Sequence, residues 1–346
     1  MKHALTLLAT LAIVGFPLIG RAEEAAADVA DLSLRLQPGD TYALTVTTDK
    51  LMNEWIANNE SNALASTTLW LTMNVLDVAD DGTTLVKLTF DRITLKTETE
   101  GDVSEYDSQN PGEELEYPLK MYQGLVGQSF QAKLSPAGEV LEVLESDALH
   151  KAVMSALSGG KSEIVINTMT SHSMVTALFG TSMDMDLMSL MGNKGLRRFA
   201  SSLLFPRPGE PVAIGHTWPR DNDQPIDPSM KCTSTYKLDS RQDGVATVQI
   251  EGTIKHDPGS RGGKPVIVFS NMTTSMEGTR SGTLKLDEKS GLVTAARITD
   301  TIKGEVKPKE SDEEDADAKA QGAISIAVGV DIVTTIECKR QAAVAH

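Results

Sequence analysis

Between residues 324 and 338 the chain alternates almost without a break. Ile324, Ile326, Val328, Val330, Ile332, Ile336 and Cys338 take every second place, with Ser325, Gly329, Asp331, Thr335 and Glu337 between them. Successive side chains of a strand point to opposite faces, so this period of two predicts a strand with one dry and one wet side. One-sided burial of this kind is the mark of an antiparallel sheet, whose dry face needs a cover. Shorter runs repeat the pattern: Tyr42, Leu44 and Val46; Leu69, Leu71, Met73 and Val75; Val86, Leu88 and Phe90; Cys232, Tyr236 and Leu238; Val248 and Ile250. Turn chemistry separates them at Asp80-Asp81-Gly82, Ser135-Pro136-Ala137-Gly138, Asp243-Gly244 and Lys289-Ser290-Gly291. Asp-Gly supplies the positive φ that tight hairpins need.

The strand-rich stretches are two, and they match. Leu76-Asp77-x3-Asp81-Gly82-x3-Val86-x-Leu88 parallels Leu238-Asp239-x3-Asp243-Gly244-x3-Val248-x-Ile250 at a constant offset of 162. Gly39-Asp40-Thr41-Tyr42 opens one copy and Gly215-His216-Thr217-Trp218 the other, and the Gly138 and Gly291 hairpins follow in the same order. Shared order of landmarks points to internal duplication, and two such copies are expected to pack as a pseudo-symmetric pair with a groove between them. The stretch between them reads as helical, with Leu149, Val153 and Leu157 spaced four apart and Pro206 and Pro208 closing it. The predicted fold is therefore mainly β (α+β). It has two divergent antiparallel β-sheet repeats, at 32–145 and 214–340, forming a curved sheet or half-barrel, with a central Met-rich helical insert at 146–206. The run 307–321 carries Glu310, Asp312, Glu313, Glu314, Asp315 and Asp317 with no apolar pattern and reads as a solvated loop.

Residues 1–22 have the layout of a secretory signal peptide: Lys2, an apolar run from Ala4 to Ile19, then Gly20-Arg21-Ala22 before acidic sequence. Export to the periplasm or the extracellular space is the expectation, with no transmembrane segment once the leader is removed. The chain carries 48 acidic against 32 basic residues, a net charge of −16. Such a balance opposes nucleic acid and anionic membrane surfaces, because repulsion from phosphate removes the main source of affinity. In an exported chain the two cysteines, Cys232 and Cys338, are expected to form a disulfide, since both sit on inward faces.

Catalytic signatures are missing from the sequence. It contains no His-Glu-x-x-His, no Gly-x-Ser-x-Gly and no Cys-x-x-Cys, and its internal histidines are not at metal-ligand spacing. No catalytic residues, metal or cofactor are assigned, and the chain is read as a non-enzyme. Half of the 14 methionines fall between Met154 and Met191. Flexible thioethers line adaptable apolar surfaces, so Met169, Met174, Leu178, Met183, Leu187, Met188 and Met191 are the candidate lining of a site for an apolar small molecule. Clustered sulfur also suits copper(I), with His172 to assist, but Met183, Leu187, Leu190 and Met191 follow a helical stripe that leaves Met185 and Met188 on another face. An unrecognised hydrolase, centred on His172 or His216 with an acidic neighbour, is the remaining alternative.

Leu34-x-Leu36-x-Pro38-Gly39-Asp40-x-Tyr42 and Gly124-x2-Gly127-x2-Phe130-x3-Leu134-Ser135-x2-Gly138-x-Val140 resemble an uncharacterised family of secreted bacterial proteins and lipoproteins whose domain has no assigned function. The resemblance runs over about 32–339. It implies export and a β-rich fold and transfers no catalytic residue. This sequence lacks the lipid-attachment cysteine that many such proteins carry. The function expected is a non-enzymatic envelope protein that binds an apolar ligand or an envelope protein partner. A sheet lidded by helices is also how periplasmic carriers of lipids are built, a likeness of fold alone.

Overall fold

The computed structural model describes residues 29–56, 59–99, 101–112, 119–158, 192–221, 230–256, 272–308 and 326–342. The first copy is an antiparallel meander of β2 (Thr41–Ile56), β3 (Asn59–Val78), β4 (Thr84–Thr99), β6 (Ser129–Leu134) and β7 (Val140–Leu144). The second is a meander of β9 (Thr217–Asp221), β10 (Met230–Gln242), β11 (Val245–His256), β12 (Met272–Asp287) and β13 (Val293–Pro308). The alternating strand noted first, β14 (Ile326–Arg340), lies between β13 and β2 and welds both meanders into one 12-stranded sheet. The copies therefore join edge to edge instead of facing each other across a groove. A short strand β5 (Asp102–Asp107) pairs with the far half of β4, beyond the part that β6 occupies. Two-residue strands β1 (Val29–Ala30) and β8 (Val212–Ala213) pair with each other.

The landmarks of the duplication fall on equivalent places. Gly39 and Gly215 both have φ of 87°, and each donates its N–H to the neighbouring strand, at Val75 and Leu238 respectively. The constant offset, however, slips by one in β3. Bulges at 75–77 and 238–240 put Val75, not Leu76, in the place of Leu238. Leu76 is exposed whereas Leu238 is buried. The first copy has the longer turn: Ala79 bonds Thr83 around Asp80-Asp81-Gly82, while Gln242 pairs directly with Val245 around Asp243-Gly244. Asp243 and Gly244 both have positive φ, as a two-residue hairpin with the native strand twist requires.

The sheet is open but strongly curled. Leu34 donates its N–H to Pro136 in the β6–β7 turn, and the adjacent Arg35 donates to Ser290 in the β12–β13 turn. Those hairpins are six strand spacings apart, about 29 Å on a flat sheet, yet one residue step spans them. Arg207 repeats the link, its N–H bonding Ala137 and its Nε bonding Gly291. Glycines on the concave face permit the bending. A Cβ on Gly278 would lie 2.4 Å from the Thr301 carbonyl, one on Gly282 2.6 Å from that of Arg297 and one on Gly304 2.4 Å from that of Ser275. A side chain at these points would push neighbouring strands apart.

The turns at 79–83, 135–139, 243–244 and 287–292 lie at one end of the trough, with segments 32–36 and 205–207 strapped across it. The main core fills this end. Leu44, Leu71, Phe90 and Phe130 of the first copy and Tyr236, Val248 and Leu286 of the second join one cluster. Three helices complete it: α1 (Leu119–Leu125), α2 (Asp147–Ser158) and α3 (Asn193–Leu204). They contribute Tyr122 and Leu125, Leu149 and Val153, and Leu196, Ala200 and Leu203, and Phe199 stacks on Phe90 at 5.6 Å. The α2 and α3 starts are tied by Ser146 to Asn193 and by the Gly192 N–H to His150 Nε2. Helix α1 has no counterpart in the expected layout, which put only strands before residue 145.

Candidate functional site

The inner face of the sheet changes character along its length, and hydrogen-bond register shows where. Near the strapped end one rung is apolar throughout: Leu238, Val248, Leu284, Ala296, Ile336, Val46 and Leu69 stand side by side. Four residues further along each strand the rung is polar. Ser234, Gly252, Arg280, Asp300, Ile332, Lys50 and Ala65 are neighbours there, with Arg220 of β9 paired to Ser234 at the sheet edge. One rung beyond, the face turns apolar again at Cys232, Ile254, Ile302, Val330 and Met52.

Arg280 and Asp300 form a two-pronged ion pair, Nε to Oδ1 and the second nitrogen to Oδ2, both at 2.8 Å, with side chains only 7% and 5% exposed. Burying two charges is costly unless each is matched, and direct cross-strand pairing supplies the match. The apolar band beyond holds two buried clusters, Met52 with Ile326, Val328, Val330 and Ile332, and Met230 with Cys232 and Ile254. Ile302 packs against both. The band is separate from the helix-filled core. The arrangement is a dry wall with a charged belt along one side.

The outer face is different. Lys255, Glu277 and Lys303 lie in a row across β11, β12 and β13, and Arg297 and Lys307 are exposed on the same side of β13. Charges on that side are incompatible with contact to lipid chains. Among the described residues no helix is long and apolar enough to cross a membrane.

The residues expected to line the site, Met169, Met174, Leu178, Met183, Leu187, Met188 and Met191, lie outside the described residues, as do His172 and positions 309–321 of the expected loop 307–321, whose first two residues belong to β13. Of the methionines from Met154 to Met191, Met154 is described and is exposed on α2. The disulfide expectation is corrected. Cys232 and Cys338 are both buried and are not joined in a disulfide. They do face inward, but Cys232 shares a rung with Val330, eight residues from Cys338 on β14. That is about 26 Å of strand rise, against the roughly 7 Å between Cα atoms that a bridge tolerates. Burial pushes the Cys338 thiol up to about 12. His216 is exposed and stacks on Trp218, which stacks in turn on Tyr236 at 5.8 Å. The polar belt escaped the sequence reading because its members come from eight strands, and only register brings them together.

Fold and inner face together define a class: a curled, open antiparallel sheet, helix-filled at one end and lined with apolar side chains toward the other. The chain belongs to a family of unknown function (DUF6263), whose model matches residues 81–293. No curated protein matches the sequence. Among solved structures the chain is similar to lipovitellin, in a structure described as showing lipid–protein interactions, at 10% identity and a TM-score of 0.43. That match covers 90% of this chain and 26% of lipovitellin, so the chain spans about a quarter of its length. An outer membrane channel from Pseudomonas putida F1 matches at 7% identity and a TM-score of 0.23, covering 89% of this chain and 98% of the channel. OccK7 (OpdD) from Pseudomonas aeruginosa matches at 8% identity and a TM-score of 0.21, covering 87% of this chain and all of that one.

Proposed function

We propose that the protein is a non-enzymatic, exported envelope protein that takes an apolar ligand on the inner face of its curled sheet. One observation carries this reading: a second apolar band, at Met52, Val328, Val330, Ile254 and Met230, stands apart from the core that the helices complete. A domain commonly has one contiguous core with smaller satellite clusters; this band is a concave apolar wall beside a few placed polar groups, which is what small-molecule sites are made of. The signal-peptide layout of residues 1–22 supports export, and an exported product starting at Glu23 is the expected result of N-terminal sequencing.

The test uses the uncharged dye N-phenyl-1-naphthylamine, which fluoresces in apolar surroundings. The native protein is expected to bind it saturably, Val330→Glu on the inner face to lose binding, and Val333→Glu on the outer face of the same strand to keep it. Absent binding to the native protein, or binding that survives Val330→Glu, would overturn the reading.

A further inference from the structure

Two segments tie the equivalent hairpins together, each with an arginine, and the two arginines are held very differently. In segment 32–36, Arg35 donates through Nε to the Lys289 carbonyl at 3.3 Å and through Nη1 to the Asp31 carboxylate at 2.7 Å. Its Nη2 donates to the carbonyls of Asp31 and Glu288 at 2.8 and 2.6 Å. In segment 205–207, Arg207 is only 5% exposed. Its Nε donates to the Gly291 carbonyl at 2.6 Å, while Nη1 and Nη2 have no partner among the described residues. A buried charge without matching groups is costly. Phe205 adds strain of its own, a bulky residue at φ 40° in the left-handed region. We propose that residues 205–208 form a releasable latch, poised to swing out from the hairpin end of the trough, while 32–36 is the permanent tie that keeps the curl.

Pro206 and Pro208 flank Arg207, and their fixed φ makes the segment a stiff piece that moves as a unit. It follows the end of α3 at Leu204 and leads into Gly209 and Glu210, both exposed. Opening breaks the bond from the Arg207 N–H to the Ala137 carbonyl and the Nε bond to Gly291. In return the guanidinium reaches water and Phe205 leaves its strained conformation. Burial of the Phe205 ring, 4% exposed in the main core, holds the latch shut. The hairpins stay together when it opens, because Leu34 still bonds Pro136 and Arg35 still bonds Ser290. Movement is therefore local and uncovers the helix-filled end of the trough; the inner-face band and any ligand there play no part in it. Gly138 sets how closely the latch fits. A Cβ there would lie 1.8 Å from Arg207 Nη1 and 3.2 Å from the Phe205 carbonyl. Gly244 has the same φ of 77°, and a Cβ there would meet nothing within 4 Å.

Amide hydrogen exchange, followed residue by residue by NMR on the full chain, tests this, since it reports local opening as a loss of protection. The Leu34 and Arg207 amides both bond the β6–β7 turn, at 2.7 and 2.9 Å. In the native protein the Arg207 amide is expected to be protected roughly tenfold less than that of Leu34, as a latch that opens on its own requires. Arg207→Met, which removes the unmatched charge, is expected to raise protection at position 207 about tenfold and to leave Leu34 unchanged. Gly138→Ala is expected to lower Arg207 protection about tenfold further than Gly244→Ala, which carries the same backbone strain without the clash. Equal protection of Leu34 and Arg207, exchange at 207 that is indifferent to Arg207→Met, or the same exchange in both glycine variants would each overturn the latch.

Discussion

Removing the Asp300 carboxylate should be among the most damaging single changes outside the core. The pair is 7% and 5% exposed and makes two hydrogen bonds of 2.8 Å. Asp300→Ala removes the two-pronged partner of a guanidinium on an enclosed face, a loss of about 3–5 kcal/mol. For a chain of this size that lowers the calorimetric midpoint by roughly 6–10 °C. Lys96–Glu105 serves as the internal control. It is also a cross-strand pair, but its side chains are 55% and 65% exposed, so Lys96→Met should cost at most about 1 kcal/mol. Replacing both buried partners, Arg280→Met with Asp300→Leu, should recover most of the loss, because the double change strands no charge. Scanning calorimetry of the four proteins decides it. If Asp300→Ala costs no more than Lys96→Met, the belt is wet, the inner face is not enclosed, and the reasoning from burial fails.

Gly291→Ala would put a Cβ 2.1 Å from the Ser33 carbonyl at φ +69, whereas Gly101→Ala meets nothing within 4 Å at φ +89; the first should cost about 2–4 kcal/mol and the second about 1–2, in denaturant titration. Native protein should yield two unbridged thiols that resist alkylation, since Cys232 and Cys338 are buried and far apart, and a cross-linked peptide in a digest would contradict this. The Cys338 thiol is raised from 9.0 to about 12 by burial, so its contribution to stability is complete below pH 9 and is lost as the pH rises toward 12. Arg207 is buried with both terminal nitrogens unpartnered, and burial pushes it down to about 9. Arg207→Met loses one hydrogen bond to Gly291, about 1 kcal/mol, but removes an unmatched buried charge that costs more, so a higher midpoint is expected.

The strand that opened the reading, with apolar residues at every second place, is the centre of the sheet, and its alternation was legible because side-chain direction in a strand depends on local sequence alone. Turn residues were legible for the same reason: Gly39, Gly82, Gly138, Gly215, Gly244 and Gly291 all have the positive φ their positions required. What depends on other strands was not. Neither the bulge that moves Leu76 outward nor the offset that keeps Cys232 from Cys338 leaves a local trace. Inner-face glycines such as Gly278 read as weak strand residues, though close strand approach is what they serve. Lys50, Arg280, Asp300 and Arg220 looked like scattered surface charges, and only seven strands in register make them a belt. Helix α1, a single short element, carries too few periodic positions to stand out.

Both the core and the proposed site depend on the curl that brings the two equivalent hairpins together. Spin labels at Glu139→Cys and Lys289→Cys, exposed residues beside those turns, measure it by double electron–electron resonance. The strapped trough predicts a distance distribution centred below about 20 Å, while a sheet without the curl holds the hairpins near 29 Å; a peak at the longer distance would contradict the account.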